Sequence, residues 1–127
     1  IDIDHFKRVN DTYGHHVGDQ LLVHVVKVCQ TQLQEDHFFA RYGGEEFVIA
    51  LKGYNEVEGE AFGNRLCETL EMEQLMTPEG KLSVTLSIGV AEVKDWTEET
   101  LHQLLHKADT ALYAAKQEGR NRVEVYT

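Results

Sequence analysis

Acidic side chains gather at two places in this 127-residue chain. The chain opens Ile1-Asp2-Ile3-Asp4-His5-Phe6-Lys7, and further on Arg41-Tyr42-Gly43-Gly44-Glu45-Glu46-Phe47 sets two glutamates behind two glycines. Paired carboxylates with a backbone carbonyl beside them are hard oxygen donors, the set Mg²⁺ takes when it shares its remaining positions with phosphates. Asp2 and Glu45 are the pair expected to do this if the two segments meet. Gly43 and Gly44 are expected to take positive φ in a tight hairpin and, lacking Cβ, to let a polyphosphate or ribose approach the main chain. Taken singly, each feature has an ordinary reading as a turn, a solvated glutamate pair or a strand residue facing water.

A sheet has to hold these residues. Ile1 to Asp4 alternates apolar and acidic, which predicts a half-buried strand with Asp2 and Asp4 on the face opposite Ile1 and Ile3. Residues 5–14 predict a short helical turn and a loop. From Gly18 onward Leu21, Leu22, Val25, Val26, Cys29 and Leu33 recur at helical spacing, with Asp19 expected in the first turn, where a carboxylate suits the dipole. Phe38 to Tyr42 and Phe47 to Leu51 predict the two strands of a hairpin. A third helix, carried by Val57, Ala61, Phe62, Leu66 and Leu70, ends before the loop holding Pro78. Residues 81–93 alternate as one long strand, with Leu82, Val84, Leu86 and Ile88 on one side. Thr97 is expected to cap the last helix, with Glu98 and Glu99 in its first turn. Its apolar stripe runs Leu101, Leu104, Leu105, Ala108, Ala111, Leu112, Ala115, and it stops at Gly119 before a final strand. This order predicts an α+β domain with a central, mainly antiparallel sheet flanked by helices on the split βαβ plan. In that plan the first strand and the hairpin are neighbours, which brings Asp2 near Glu45.

The length suits one domain. The formal charge is 12 − 22 = −10, with a pI near 5.0, which argues against a surface that tracks nucleic-acid backbones. A phosphate ligand would need a metal ion to bridge it to acidic side chains. Cys29 and Cys67 lie in helical patterns without metal or redox spacing and read as reduced packing residues in a cytosolic setting. No apolar run reaches membrane-spanning length. The expected location is cytoplasmic, and the opening on Ile1 suggests a piece of a longer, membrane-bound or soluble protein.

Several blocks, in order, resemble one family. Asp2-Ile3-Asp4-His5-Phe6-Lys7, Asn10-Asp11, Gly14-His15, Gly18-Asp19, the signature Gly43-Gly44-Glu45-Glu46-Phe47, Ala114-Ala115-Lys116 and Gly119-Arg120-Asn121 resemble the GGDEF-domain diguanylate cyclases, bacterial enzymes that join two GTP molecules into cyclic di-GMP. The resemblance implies a ferredoxin-like, nucleotidyl-cyclase palm-like fold. It also implies that residues 1–127 are one catalytic domain lacking its N-terminal helix and the start of its first strand. By the same resemblance Asp2, Glu45 and the Ile3 carbonyl hold Mg²⁺ or Mn²⁺, and Glu46 is a further metal-site or proton-accepting carboxylate. Asn10 and Asp19 match the guanine-reading pair. Lys116 and Arg120, with the amides around Phe6 and Lys7, match the phosphate site. The implied reaction is attack of a 3′-hydroxyl on an α-phosphate, which requires two domains facing each other as a homodimer. An upstream sensor domain is the expected regulator.

Departures and alternatives stand beside this reading. Family members inhibited by their product carry Arg-x-x-Asp before the signature, whereas Gln34 and His37 occupy those positions here. Neither can make the bidentate guanidinium contact, so no product-inhibition site is expected. A non-catalytic GTP or cyclic-dinucleotide sensor, and a cyclase making mixed dinucleotides, are the other readings. His15 and His16 read as loop surface or capping residues, His102 and His106 as solvated helix surface, and Trp96 and Tyr113 as packing.

Overall fold

The computed structural model describes residues 1–94 and 100–127. These form seven strands and four helices in the order β1 (Asp2–Ile3), α1 (Phe6–Tyr13), α2 (His15–Gln32), β2 (Phe38–Arg41), β3 (Phe47–Ala50), α3 (Glu56–Met72), β4 (Leu75–Thr77), β5 (Gly80–Leu82), β6 (Leu86–Val90), α4 (Leu101–Gln117) and β7 (Arg122–Val125). β6 pairs antiparallel with β1, placing Asp2 opposite Ser87, and parallel with β7 on its other side. The β2–β3 hairpin joins the far edge of β1 through one antiparallel bridge, Asp2 to Glu46. The spatial order is therefore β2-β3-β1-β6-β7, the mainly antiparallel sheet the pattern predicts. Its one parallel pair is bridged by the crossover helix α4.

Strand alternation gives the sheet two unlike faces. Ile3, Leu86 and Ile88 sit on the core face, where Leu21, Val25, Cys29, Leu66 and Leu70 are also buried. α3 covers that face closely: a Cβ on Gly63 would lie 2.9 Å from Val123 Cγ2 and 3.5 Å from Ile88 Cγ2. Asp2, Asp4, Ser87 and Gly89 point the other way, toward α4. A Cβ on Gly89 would lie 2.1 Å from the Ala108 carbonyl oxygen and 2.3 Å from the Leu112 nitrogen, so α4 is seated backbone to backbone on β6. Past this contact β3 and β6 flank a cleft of about 890 Å³ lined by Ile1, Ile49, Phe62, Ile88 and Val90, which contains none of the carboxylates discussed below.

The elements depart from the sequence reading in instructive places. Residues 6–13 form a whole helix, because Phe6, Val9 and Tyr13 recur on one face against the core. Gly14, at φ 90, ends it and opens α2 at His15. His15 and His16 thus occupy the first turn of α2 rather than a loop, both exposed, and Asp19 falls in the second turn, beyond the dipole reading. The long strand expected over 81–93 is two: β5 pairs with β4 in a hairpin turned at Gly80, φ 114, and β6 enters the main sheet. Alternation survives the break, so Leu82, Val84, Leu86 and Ile88 are all buried. In α3 Phe62, Leu66 and Leu70 are buried as expected, but Val57 is 69% exposed, and the close contacts fall to Gly59 and Gly63. α4 is capped by Thr100, whose side chain accepts from the Gln103 amide; the roles expected of Trp96, Thr97, Glu98 and Glu99 lie outside the described residues. Tyr113 is 64% exposed and does not pack as expected. Burial pushes the free thiols of Cys29 and Cys67 up to about 11. No helix among the described residues is long and apolar enough to cross a membrane.

Candidate active site

The junction of β1 with the hairpin brings the two acidic segments together. The Ile3 amide donates to the Glu45 carbonyl at 3.2 Å and the Phe47 amide to the Ile1 carbonyl at 2.9 Å. These bonds bracket Asp2 and Glu46 as a non-hydrogen-bonded pair, in which facing Cα atoms stand about 4.5 Å apart and the side chains share a face. Two carboxylates directly across a sheet repel each other, and Asp2 is only 5% exposed. A cation offsets them: Lys116, in the last turn of α4, forms an ion pair with Asp2 Oδ2. Burial is the strongest single influence on Lys116 and works against its charge, but the hydrogen bond and charge of Asp2, then the charges of Glu46 and Glu45, outweigh it and hold the pKa above the ordinary lysine value. Asp2 Oδ1 is buried and has no hydrogen-bond partner among the described residues. Glu46 is therefore the residue opposite Asp2. Glu45, the expected partner, lies one position earlier with its carbonyl on Ile3, and its carboxylate acts on Lys116 from the loop.

The glycine pair behaves differently from the expected tight turn. Neither Gly43 nor Gly44 has positive φ. The loop is closed by the Tyr42 and Gly43 amides, which donate to the Glu46 carbonyl at 2.8 and 3.2 Å, and by Arg41, whose guanidinium donates to the Gly43 and Gly44 carbonyls at 3.1 and 2.7 Å. A Cβ on Gly44 would meet nothing within 4 Å, and one on Gly43 only the Glu46 Cβ at 3.9 Å. The fold itself thus makes no demand for glycine at either position. Both leave bare main chain beside the carboxylates.

Three further groups surround this junction in the chain. β1 runs directly into α1, where the first helical bond is Val9 N–H to His5 at 3.3 Å, so the amides of Phe6 and Lys7 precede it without intrahelical partners. His5, at φ 57, caps this end with no side-chain bond. At the α1–α2 corner Asn10 lies against Gly18: a Cβ there would be 1.8 Å from Asn10 Oδ1. That approach brings Asn10 next to Asp19, which is exposed. The reading that started α2 at Gly18 missed this use of the glycine, for which an interior helix glycine is the available signal. Beyond α4, the Gly119 and Arg120 amides close the helix end onto the Lys116 and Ala115 carbonyls at 3.5 and 2.9 Å, a Schellman motif that leaves Arg120 exposed.

The other candidates are placed elsewhere or turned inward. The His37 ring stands edge-on to Tyr54 and Phe62, with centroids 5.0 and 6.2 Å apart, and its Nδ1 accepts from the Gln34 amide at 3.1 Å. His102 and His106 are exposed. Among the described residues no group of three or more His, Cys, Asp or Glu is gathered as a metal cage. An ion sharing two carboxylates with substrate phosphates and water does not need one. The buried, unpartnered Asp2 Oδ1 and the facing Glu46 fit such an ion.

Known proteins resemble this chain along nearly its whole length. The family model described as "Diguanylate cyclase, GGDEF domain" matches residues 1–122. Diguanylate cyclase A of Treponema denticola is 41% identical over 123 residues, covering 97% of this chain and 33% of that protein. Among solved structures, the GGDEF domain of DgcB from Caulobacter crescentus in complex with c-di-GMP superposes with a TM-score of 0.92 at 36% identity, covering 98% of this chain and 74% of that one. The active GGEEF domain of a diguanylate cyclase from Vibrio cholerae superposes at 0.90 and 30% identity, covering 99% and 79%. The chain spans about a third of the length of the Treponema relative. With its fold, its signature loop and nearly its whole length accounted for, the chain belongs to the GGDEF-domain family of diguanylate cyclases.

Proposed function

We propose that this domain condenses two GTP molecules into cyclic di-GMP with release of two pyrophosphates. The observation that carries the reading is the Asp2–Glu46 pair, two carboxylates facing across a strand pair with one Asp2 oxygen buried and unpartnered. Asp2, Glu45 and the Ile3 carbonyl, with Glu46 facing Asp2 as a further carboxylate, would hold a divalent ion, Mg²⁺ or Mn²⁺, which when bound neutralises phosphate charge and lowers the pKa of the attacking hydroxyl. In each of two transfers a 3′-oxygen bonds to an α-phosphorus, the bond to the β-phosphate oxygen breaks, and pyrophosphate carries off the electron pair. Glu46 would take the hydroxyl proton. Gly43 and Gly44 let the nucleotide lie against the main chain. Phe6 and Lys7 offer amides, and Lys116 and Arg120 offer cations, to the β- and γ-phosphates. Asp19 accepts from guanine N1–H and its amino group, with Asn10 beside it, which favours GTP over ATP. One domain binds one GTP, so the reaction needs a homodimer, and an upstream sensor would control its formation in the cytoplasm. His37, folded inward on Tyr54, and the exposed Gln34 offer no guanidinium to cyclic di-GMP, so product inhibition through that surface should be weak or absent. Incubation with GTP and Mg²⁺ should give a product of cyclic di-GMP mass, and Glu45→Gln should abolish it while leaving the fold intact. Full product formation by that variant would remove Glu45 from the site.

A further inference from the structure

Asp4 plays no part in the chemistry proposed above, yet it is as buried as Asp2, 5% exposed. Its carboxylate is fully engaged by neutral donors. Oδ1 accepts from Ser87 Oγ at 2.6 Å, and Oδ2 accepts from Thr85 Oγ1 at 2.6 Å and from the Asn121 amide at 3.0 Å. The first two bonds tie β1 to the start of β6. The third reaches across to the loop between α4 and β7.

That loop is strained. Gly119, Arg120 and Asn121 have φ of 121, 62 and 47 in succession, and only the first is glycine. Left-handed residues with a Cβ persist only where their surroundings over-determine them. The Schellman bonds fix the helix side of Arg120. On the far side Asn121 Nδ2 donates to Glu71 Oε1 at 2.8 Å and Arg122 Nε to the Arg120 carbonyl at 3.1 Å, both on exposed side chains, where water competes for them. The bond from the Asn121 amide to Asp4 is the part-buried, charge-assisted one.

We infer that Asp4 is a positioning residue for Arg120: by accepting the Asn121 amide it holds Arg120 in its left-handed conformation, at a fixed distance along β1 from Asp2. This rests on Arg120 meeting a substrate phosphate as proposed above. The role requires acceptor oxygens and not a negative charge. In Asp4→Asn the amide oxygen can serve Thr85 and Asn121, while the amide nitrogen donates to the Ser87 hydroxyl, which accepts as readily as it donates.

The test measures binding of guanosine α,β-methylene triphosphate with Mg²⁺ by calorimetry, and kcat and KM for GTP, in the intact protein. Asp4→Ala should weaken the analogue about tenfold and raise KM more than it lowers kcat, while Asp4→Ala with Arg120→Ala should be no weaker than Arg120→Ala alone, since coupled residues are non-additive. Asp4→Asn should stay within about threefold of the parent, a difference of less than one decade in affinity. Additive losses, or an Asp4→Asn variant as impaired as Asp4→Ala, would overturn the inference. If Asp4→Ala fails to fold by circular dichroism, Asp4→Asn decides alone, retained analogue binding supporting the inference and lost binding ending it. Should Arg120→Ala bind the analogue normally, the phosphate reading of Arg120 falls and takes the inference with it. Should Arg120→Ala lose binding while Asp4→Ala does not, the inference falls alone.

Discussion

Asp2, in β1, and Asp4, one residue past its end, point the same way, carry the same group, and are equally hidden from solvent, yet the molecule treats them in opposite ways. Asp4 accepts three hydrogen bonds from neutral donors and ties together the end of β1, the start of β6 and the loop after α4. Asp2 keeps one oxygen without a partner among the described residues, faces another carboxylate, and has a lysine ammonium on its other oxygen. A buried charge that is fully hydrogen-bonded belongs to the architecture, whereas one left half-served and opposed by a like charge costs stability and has to be offset. Burial alone does not tell the two apart. The partners do.

The comparison can be broken most severely at Asp2. Asp2→Asn should lower cyclic di-GMP formation on the order of 10³-fold, the scale of losing a group that acts on charge in the transition state, with the thermal midpoint little changed. A variant that folds and turns over normally would erase the distinction from Asp4. Gly89→Ala attacks both regions at once, because α4 carries Lys116 and leads into the Asp4-bound loop. The added methyl would press on the Ala108 carbonyl and the Leu112 amide, both backbone atoms, and should destabilise the fold by about 3 kcal/mol, the upper end for overpacking. Denaturant titration checks it, and a loss below about 0.5 kcal/mol, the range of an ordinary surface change, would show that α4 is not seated as described.

Smaller effects sharpen the contrast. Lys116→Met leaves Asp2 and Glu46 facing each other without their cation. Its thermal midpoint should fall by a few degrees, of the size about 1 kcal/mol produces in a domain this small, and Mg²⁺ should restore more of it than Mg²⁺ adds to the parent. Equal Mg²⁺ shifts in both proteins would mean that Lys116 does not neutralise this pair. Gly44→Ala should change stability by less than about 0.5 kcal/mol, since its Cβ meets nothing and its φ is not left-handed, while GTP affinity drops measurably. Unchanged affinity would return the glycine to an ordinary loop position.

How much of this was legible in the sequence follows the same divide. Alternation in Ile1 to Asp4 placed both aspartates on the face away from the core, and the order of elements placed β1 beside the hairpin; both are properties of periodicity and topology, which residue types carry directly. That Glu46 faces Asp2, with Glu45 in the loop before it, follows only once the strand register is known, because a slip of one residue moves every side chain to the other face. Gly43 and Gly44 read as a tight turn because glycine's freedom to take positive φ is its commonest use, whereas here the fold needs neither. Gly18 and Gly89 were the reverse case. Their missing side chains make room for Asn10 and for α4, contacts between different elements that the periodicity of one element does not carry. Asp4's role was hidden for the same reason, since its partners lie 81, 83 and 117 residues away.

The claim that Asp2 is an ion ligand and Asp4 a structural acceptor is tested most directly by titrating Mn²⁺ into the parent, Asp2→Asn and Asp4→Asn, each with guanosine α,β-methylene triphosphate, and counting bound ion by electron paramagnetic resonance. The account predicts that Asp4→Asn binds Mn²⁺ as the parent does and that Asp2→Asn loses it. Equal binding by all three proteins, or a loss confined to Asp4→Asn, would contradict it.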